Sequence, residues 1–333
     1  MLRNLCVFSP PGLALSSSVL ALFLLCQCVL PGTAPAGSQL PPALSSSLDA
    51  PPLEPSPESA PVIPLALHWS TLQPGLELGL ASLAESARSW SGAWFVVLRI
   101  DPAFHSFSLS MASETGQTLA LADWCRKDNL RAGINASMYL PDNLTSTGYM
   151  RNGGSVNNKN MGGNLGAFFV AGARKKELPP VDILERNSPG WPGVMDDYDI
   201  VVQNYRFINS DGRLLWREGG PLHSIAVVGK DASGRILFVL CQEPLSGDRF
   251  AAYLRTLPLE LGTVMYVEGG AQAGMFVRVD SGSAQPSVAP VAGATSHPVP
   301  GGVVHVWKGR QSLLNTRGNP DAALPNLIGV TMK

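Results

Sequence analysis

Two apolar runs, His223–Val228 and Arg235–Leu240, flank the segment Gly229-Lys230-Asp231-Ala232-Ser233-Gly234. Gly, Asp and Ser between two β-prone runs are hairpin chemistry, because they tolerate the left-handed and bent backbone that a reversal needs. This hairpin constrains the rest of the chain: strands joined by short turns must be antiparallel, since parallel neighbours need long crossovers. Other runs obey the same pattern. Trp94–Ile100 and the Ala-Phe-Phe-Val run within Gly166–Ala171 carry the β-branched and aromatic content of buried strands. Leu130–Ser137, Val201–Ile208 (one strand or a pair), Thr263–Val267, Val303–Trp307 and Leu327–Thr331 read likewise. Helices are fewer. Thr118 is placed to cap one over Leu119–Asp128, and Ser246 to start one carrying Phe250, Tyr253, Leu254 and Leu257 near a 3.6 period, stopped by Pro258. The expectation is an α+β domain: a mixed, largely antiparallel sheet packed with a few helices, in one domain.

That domain is expected over residues 65–333. Residues 1–36 have the layout of a secretory signal, with Arg3 as the positive end, an apolar stretch Leu13–Leu30 and small residues at Ala34-Pro35-Ala36. The alternative of a retained membrane anchor is weakened by Ser16-Ser17-Ser18 and the flanking prolines. Residues 37–64 hold eight prolines among serines and alanines and read as a linker, too poor in large apolar groups to offset its ordering entropy. Asp280–Gly302, rich in Ser, Ala, Pro and Gly, reads as a long surface loop. The chain is thus expected to be exported, periplasmic or secreted, with no integral membrane segment once the signal is removed. A net charge of −1 gives no basic stripe for nucleic acid. Outside the signal the cysteines are Cys125 and Cys241, two thiols that an oxidising compartment allows to pair or that stay separate and buried.

Several chemistries lack their motifs. There is no Gly-x-Ser-x-Gly elbow, no phosphate-binding Gly-rich Lys loop and no His-Glu-x-x-His. The five histidines are scattered, and Asp196-Asp197-Tyr198-Asp199 lacks the alternating oxygen pattern of a calcium loop, so neither a metal nor a cofactor is expected.

Two segments place polar groups at the ends of apolar strands. Ala132-Gly133-Ile134-Asn135-Ala136-Ser137-Met138-Tyr139 delivers Asn135 among small neighbours that let another group approach. Val264-Met265-Tyr266-Val267-Glu268-Gly269-Gly270 delivers a carboxylate that burial would raise in pKa. Taken singly, each is explained as well by an ordinary turn.

Their order along the chain resembles the phosphodiester glycosidase domain family. The resemblance runs from about Trp94 to Phe276. Ile134-Asn135-Ala136-Ser137-Met138-Tyr139 is similar to the family's Asn-x-Gly-(Phe/Tyr)-Phe segment. Gly148-Tyr149-Met150-Arg151-Asn152-Gly153-Gly154, followed by Gly163 to Val170, resembles its hairpin into a Phe-rich strand. Val202-Gln203-Asn204, with Phe207-Ile208 and Asp211-Gly212, stands for its Gln-containing stretch. His223 to Val228 lies where an Arg-led strand is usual, and Tyr266-Val267-Glu268-Gly269-Gly270-Ala271-Gln272 resembles its Leu-Asp-Gly-Gly-Gly-Ser motif. Departures from the pattern are Glu268 for Asp, Ala271 and Gln272 for Gly and Ser, His223 for Arg, and Asn204-Tyr205-Arg206 across a Gly-Pro.

The resemblance implies hydrolysis of the anomeric bond of a sugar-1-phosphodiester in the cell envelope, through an oxocarbenium-like transition state. Glu268 and His223 would be the catalytic pair: Glu268 as nucleophile, general base or charge stabiliser, and His223 holding or protonating the phosphate. Asn135, Gln203, Gly269 and Gly270 would contact the substrate, a glycosyl phosphodiester or polysaccharide. Two alternatives stand beside this. One is a non-catalytic exported protein that binds glycan or polymer on the same fold. The other is a two-carboxylate glycosidase in which Asp142, Asp197 or Glu243 faces Glu268.

Overall fold

The hairpin read from residues 229–234 forms the centre of the largest sheet in the computed structural model. Strands His223–Asp231 and Ile236–Leu245 pair antiparallel, with Val227 opposite Val239. The structure describes residues 62, 64–83, 94–282, 292–311 and 316–333. The expected signal peptide and nearly all of the expected linker lie outside the described residues.

Three sheets make up the described chain. The first has nine strands, with the path His68–Gln73, Leu76–Ser82, Trp94–Ile100, Ile236–Leu245, His223–Asp231, Leu261–Gly269 and Arg206–Ile208; the short strands Arg310–Gln311 and Thr316–Arg317 join it at the side. The second has five: Ser155–Asn158, Met150–Asn152, Tyr198–Asn204, Ala167–Ala173 and Val181–Glu185. The third has six: Thr295–Val299, Gly302–Lys308, Gly274–Asp280, Ala132–Asn135, Asn326–Met332 and His105–Met111. Every strand pair among the described residues is antiparallel.

All three sheets turn one face to a common core. Val96, Leu98, Phe238, Val228 and Met265 come from the first, Phe169, Val202 and Ile183 from the second, and Ile134, Met275, Val277 and Ile328 from the third. Each outer face is covered by a helix. Gly247–Thr256 lays Phe250, Ala251 and Leu254 over Phe95, Val97 and Val239. Leu121–Asp128 lays Leu121, Trp124 and Cys125 over Phe276, Val304 and Val306. Trp191–Asp196 packs on Phe168, Val170 and Val201. Central strands are therefore apolar on both faces, which is why Trp94–Leu98 at the start of Trp94–Ile100 reads as a continuous hydrophobic run rather than an alternating one.

The largely antiparallel architecture is as expected, but helix is scarcer than α+β implies. Among the described residues strand accounts for 49% against four helices, so the fold is mostly β. Two local expectations also change, and two readings left open are decided. The helix expected over Leu119–Asp128 begins at Leu121, with Ala120 and not Thr118 at its cap, because Leu119 is held extended by a backbone bridge to Leu324. Val201–Ile208 divides at Tyr205 into strands of different sheets. The expected loop Asp280–Gly302 contains the strand Thr295–Val299, paired with Gly302–Lys308. Cys125 and Cys241 are both free, one on the inner face of the helix Leu121–Asp128 and the other beneath Gly247–Thr256, and burial raises both thiols, Cys125 to about 11.

Candidate active site at the end of the Leu261–Gly269 strand

Glu268 reaches its place through a β-bulge. Ala226 pairs with Glu268 and Val227 with Tyr266, so Val267 is an extra residue on its strand. In a regular strand Glu268 would share the outward face of Tyr266, two residues before it. The bulge instead puts it opposite Ala226, on the face that carries the common core, which is how bulges re-aim a side chain. The carboxylate therefore leaves the end of a strand whose preceding residues, Val264, Met265, Tyr266 and Val267, are all buried. Glu268 is 8% exposed, and burial pushes its carboxyl up to about 7, against the Gly269 N–H that donates to it at 2.9 Å and the Lys308 ammonium nearby.

The chain then turns tightly. Gly270–Gln272 forms one turn of 3-10 helix, with Gly270 at φ +64°, a conformation that disfavours any side chain. The carbonyl oxygen of Gln272 accepts from two donors on the third sheet, Asn135 Nδ2 at 3.2 Å and Lys308 Nζ at 2.9 Å. Asn135 Oδ1 accepts in turn from the Gly274 N–H at 2.7 Å. Asn135 thus touches the site as the clamp of the turn that carries Glu268. Its neighbour Lys308 is 3% exposed, and burial lowers its ammonium to about 8 while Glu268 raises it.

His223 stands on the adjoining strand. Its Nδ1 lies 2.9 Å from the Ser224 carbonyl oxygen, and a Cβ on Gly269 would meet the same nitrogen at 2.9 Å. That hypothetical Cβ would lie 2.3 Å from the Tyr266 hydroxyl, so glycine at 269 is what lets the imidazole and the phenol close on the strand end. Tyr266 stacks on Trp216 with ring centroids 5.1 Å apart. Tyr139, at the end of the Asn135 segment, completes the surround: burial first, then the Glu268 charge, raises its phenol.

Gln203 is placed differently. It is fully buried in the second sheet, and its amide is occupied at both ends: Oε1 accepts from the N–H groups of Tyr149 and Gly162, and Nε2 donates to the carbonyls of Gly162 and Leu165. Two acceptor sites and two donors are then all used, so Gln203 serves as a brace between loops. The structure brings together Glu268, His223, Asn135, Gly269 and Gly270, and keeps Gln203's amide for the backbone.

The carboxylates considered as a second catalytic acid lie elsewhere or are engaged. Asp142 accepts from Leu144 and Thr145, which lowers its pKa, and Asp197 pairs with Lys175 at 2.8 Å. Glu243 sits beside Cys241 on Ile236–Leu245, which His223–Asp231 separates from the strand of Glu268. In the acidic cluster, Asp196 faces Arg151 and Asp199 pairs with Arg174. Sequence reasoning missed Lys308, although the signal was present: Trp307-Lys308-Gly309 closes an apolar strand with a charge and a glycine, as Val267-Glu268-Gly269 does.

The family model described as phosphodiester glycosidase matches residues 128–306, beginning later and ending further on than the resemblance in the sequence. No curated protein matches the chain in sequence. Among solved structures, the chain is similar to the zebrafish N-acetylglucosamine-1-phosphodiester alpha-N-acetylglucosaminidase catalytic domain auto-inhibited by its pro-peptide, with TM-score 0.52 and 11% identity over 81% of this chain and 89% of that one. A hypothetical protein from Synechocystis gives TM-score 0.48 and 12% identity over 80% of this chain and 64% of that one. The zebrafish likeness speaks to the fold, and the family match contains Asn135, His223 and Glu268. This chain belongs to the phosphodiester glycosidase family.

Proposed function

We propose that the protein hydrolyses the anomeric bond of a sugar-1-phosphodiester, with Glu268 as the reacting carboxylate. The observation that carries this is Glu268 itself, turned inward by a bulge and held in a low-polarity site where its carboxyl titrates near neutral pH. In the reaction the bond from C1 to the phosphate oxygen breaks, the electron pair leaves with the phosphate, and water oxygen ends on C1. A phosphate monoester is a good leaving group, so one carboxylate suffices, without a strong acid opposite it. As an anion, Glu268 either adds to C1 or takes the proton of the attacking water, and it stabilises the oxocarbenium charge in both cases. His223, which stands beside Gly269, would donate to the phosphate. Export to the envelope, from the N-terminal 36 residues, belongs to the same proposal.

The second reading, a glycan- or polymer-binding protein without turnover, is favoured by one observation. The amides of Asn135 and Gln203 are engaged with backbone, which leaves fewer groups for substrate than the family resemblance implies. A panel of glycosyl phosphodiesters, assayed for free reducing sugar, separates the two. Turnover that drops at least about 100-fold in Glu268→Gln supports the enzyme, since losing one reacting group costs on this order. Glycan binding with no turnover on any member supports the binder.

A further inference from the structure

We propose that Lys308 is a positioning residue of this site: its ammonium, anchored on the Gln272 carbonyl, is the buried counter-charge that keeps Glu268 ionised. The inference rests on the reading of Glu268 as the reacting group and concerns how its charge is held.

The geometry is built for this lysine. Lys308 closes the strand Gly302–Lys308 and pairs with Gly274 across the sheet. A Cβ on Gly274 would lie 2.9 Å from Lys308 Cδ and 3.2 Å from its Nζ, so the lysine stem lies flat over a glycine. The next residue, Gly309, approaches the Gly270 carbonyl so closely that a Cβ would sit 2.3 Å away. Lys308 and Gly309 thus press on both ends of the turn Gly270–Gln272, directly after Glu268. Nζ donates one proton to Gln272 O at 2.9 Å, and the Lys308 carbonyl accepts from Gln242 Nε2 at 3.0 Å, which fixes the residue from below.

A lysine that is 3% exposed is costly unless something nearby needs its charge. The titratable groups around Glu268 come from four elements. They are Tyr139 after the Ala132–Asn135 strand, Tyr266 on its own strand, His223 on the adjoining strand and Lys308 on the third sheet. Both phenols are raised by burial and by the Glu268 charge, so they stay neutral at physiological pH. Lys308 is the cation whose charge opposes the burial of the Glu268 carboxyl. Without it, only the Gly269 N–H opposes the desolvation of the carboxyl, and the neutral acid is favoured over a wider range of pH. A neutral acid neither adds to C1 nor takes a proton from water.

The test compares Lys308→Met with Lys308→Arg in the full-length protein. The acid limb of kcat/KM on a glycosyl phosphodiester should move up by about one pH unit in K308M, the scale of one buried opposite charge, and stay near its original position in K308R. Asn135→Ala removes the other donor to the Gln272 carbonyl with the cation intact, and should lower the rate without moving the limb. Carbon-13 NMR titration of the Glu268 carboxyl, assigned with Glu268→Gln, reads the same shift with no substrate present. It therefore decides the lysine's role even if no phosphodiester is turned over, and it uses K308R if K308M does not fold. A carboxyl titration that is unchanged in K308M, or shifted as far in N135A, overturns the proposal; in the unfolded-K308M case, a K308R titration displaced upward overturns it.

Discussion

Replacing Glu268 by Gln should make the protein more stable at alkaline pH while removing its function. Gln keeps the shape, and its amide oxygen can accept the Gly269 N–H as the carboxylate does. What it removes is the cost of a buried charge. The carboxyl is pushed up to about 7 in the folded chain, against 4.5 for a solvated glutamate. A raised folded pKa means that the folded state holds a proton the unfolded chain has lost between these values. Stability then falls as pH rises through this window, by about 3 kcal/mol in full at about 1.4 kcal/mol per unit. Most of that loss falls between pH 5 and pH 8, so the stability of E268Q relative to wild type should grow by about 2 kcal/mol over this interval. Lys308, without its counter-charge, releases its proton at lower pH in the variant, which works in the same direction. Urea unfolding of both proteins at pH 5 and pH 8 measures the difference directly. A stability difference that stays flat with pH, or favours wild type as pH rises, would refute the assignment of a desolvated carboxyl at 268.

Other substitutions test the frame around it. Gly269→Ala drives a methyl against the Tyr266 hydroxyl and the His223 ring and should cost about 1–3 kcal/mol with loss of activity, read by denaturation and turnover. Gln203→Ala strips four hydrogen bonds from the loops at 149 and 162–165, so it should destabilise by about 2–4 kcal/mol while KM changes little. A large rise in KM with unchanged stability would instead put Gln203 on the substrate. Reductant should leave Tm unchanged, and both thiols should react with a thiol reagent only on unfolding, because Cys125 and Cys241 are separate and buried; a drop in Tm on reduction would contradict this.

The parts of the fold legible in the sequence are those where burial dictates composition. Trp94–Ile100 is read with its observed ends because both its faces are covered, and the hairpin around residues 229–234 because its turn residues announce it. His105–Met111 escapes notice because serines alternate along it, and it lies at a sheet edge. Met150–Asn152 and Ser155–Asn158 show only through the family's hairpin pattern, because in their Gly- and Asn-rich sequence no apolar run marks the strands. The site was legible in part. Glu268 and Asn135 mark strand ends, but no single-strand pattern reveals that a bulge turns Glu268 inward, since the pairing with Ala226 is a long-range fact. Lys308 marks a strand end as well, but the pattern does not reveal its place in the site, because its partner Gln272 is met only across the sheet.

The most direct test of the account is the pH dependence of sugar release from a glycosyl phosphodiester by wild type and E268Q. Wild-type kcat/KM should rise with pH through an apparent pKa near 7, the value at which the buried Glu268 carboxyl ionises, and E268Q should show neither the limb nor appreciable turnover. Turnover by E268Q at the wild-type rate, with the limb still in place, would contradict the account.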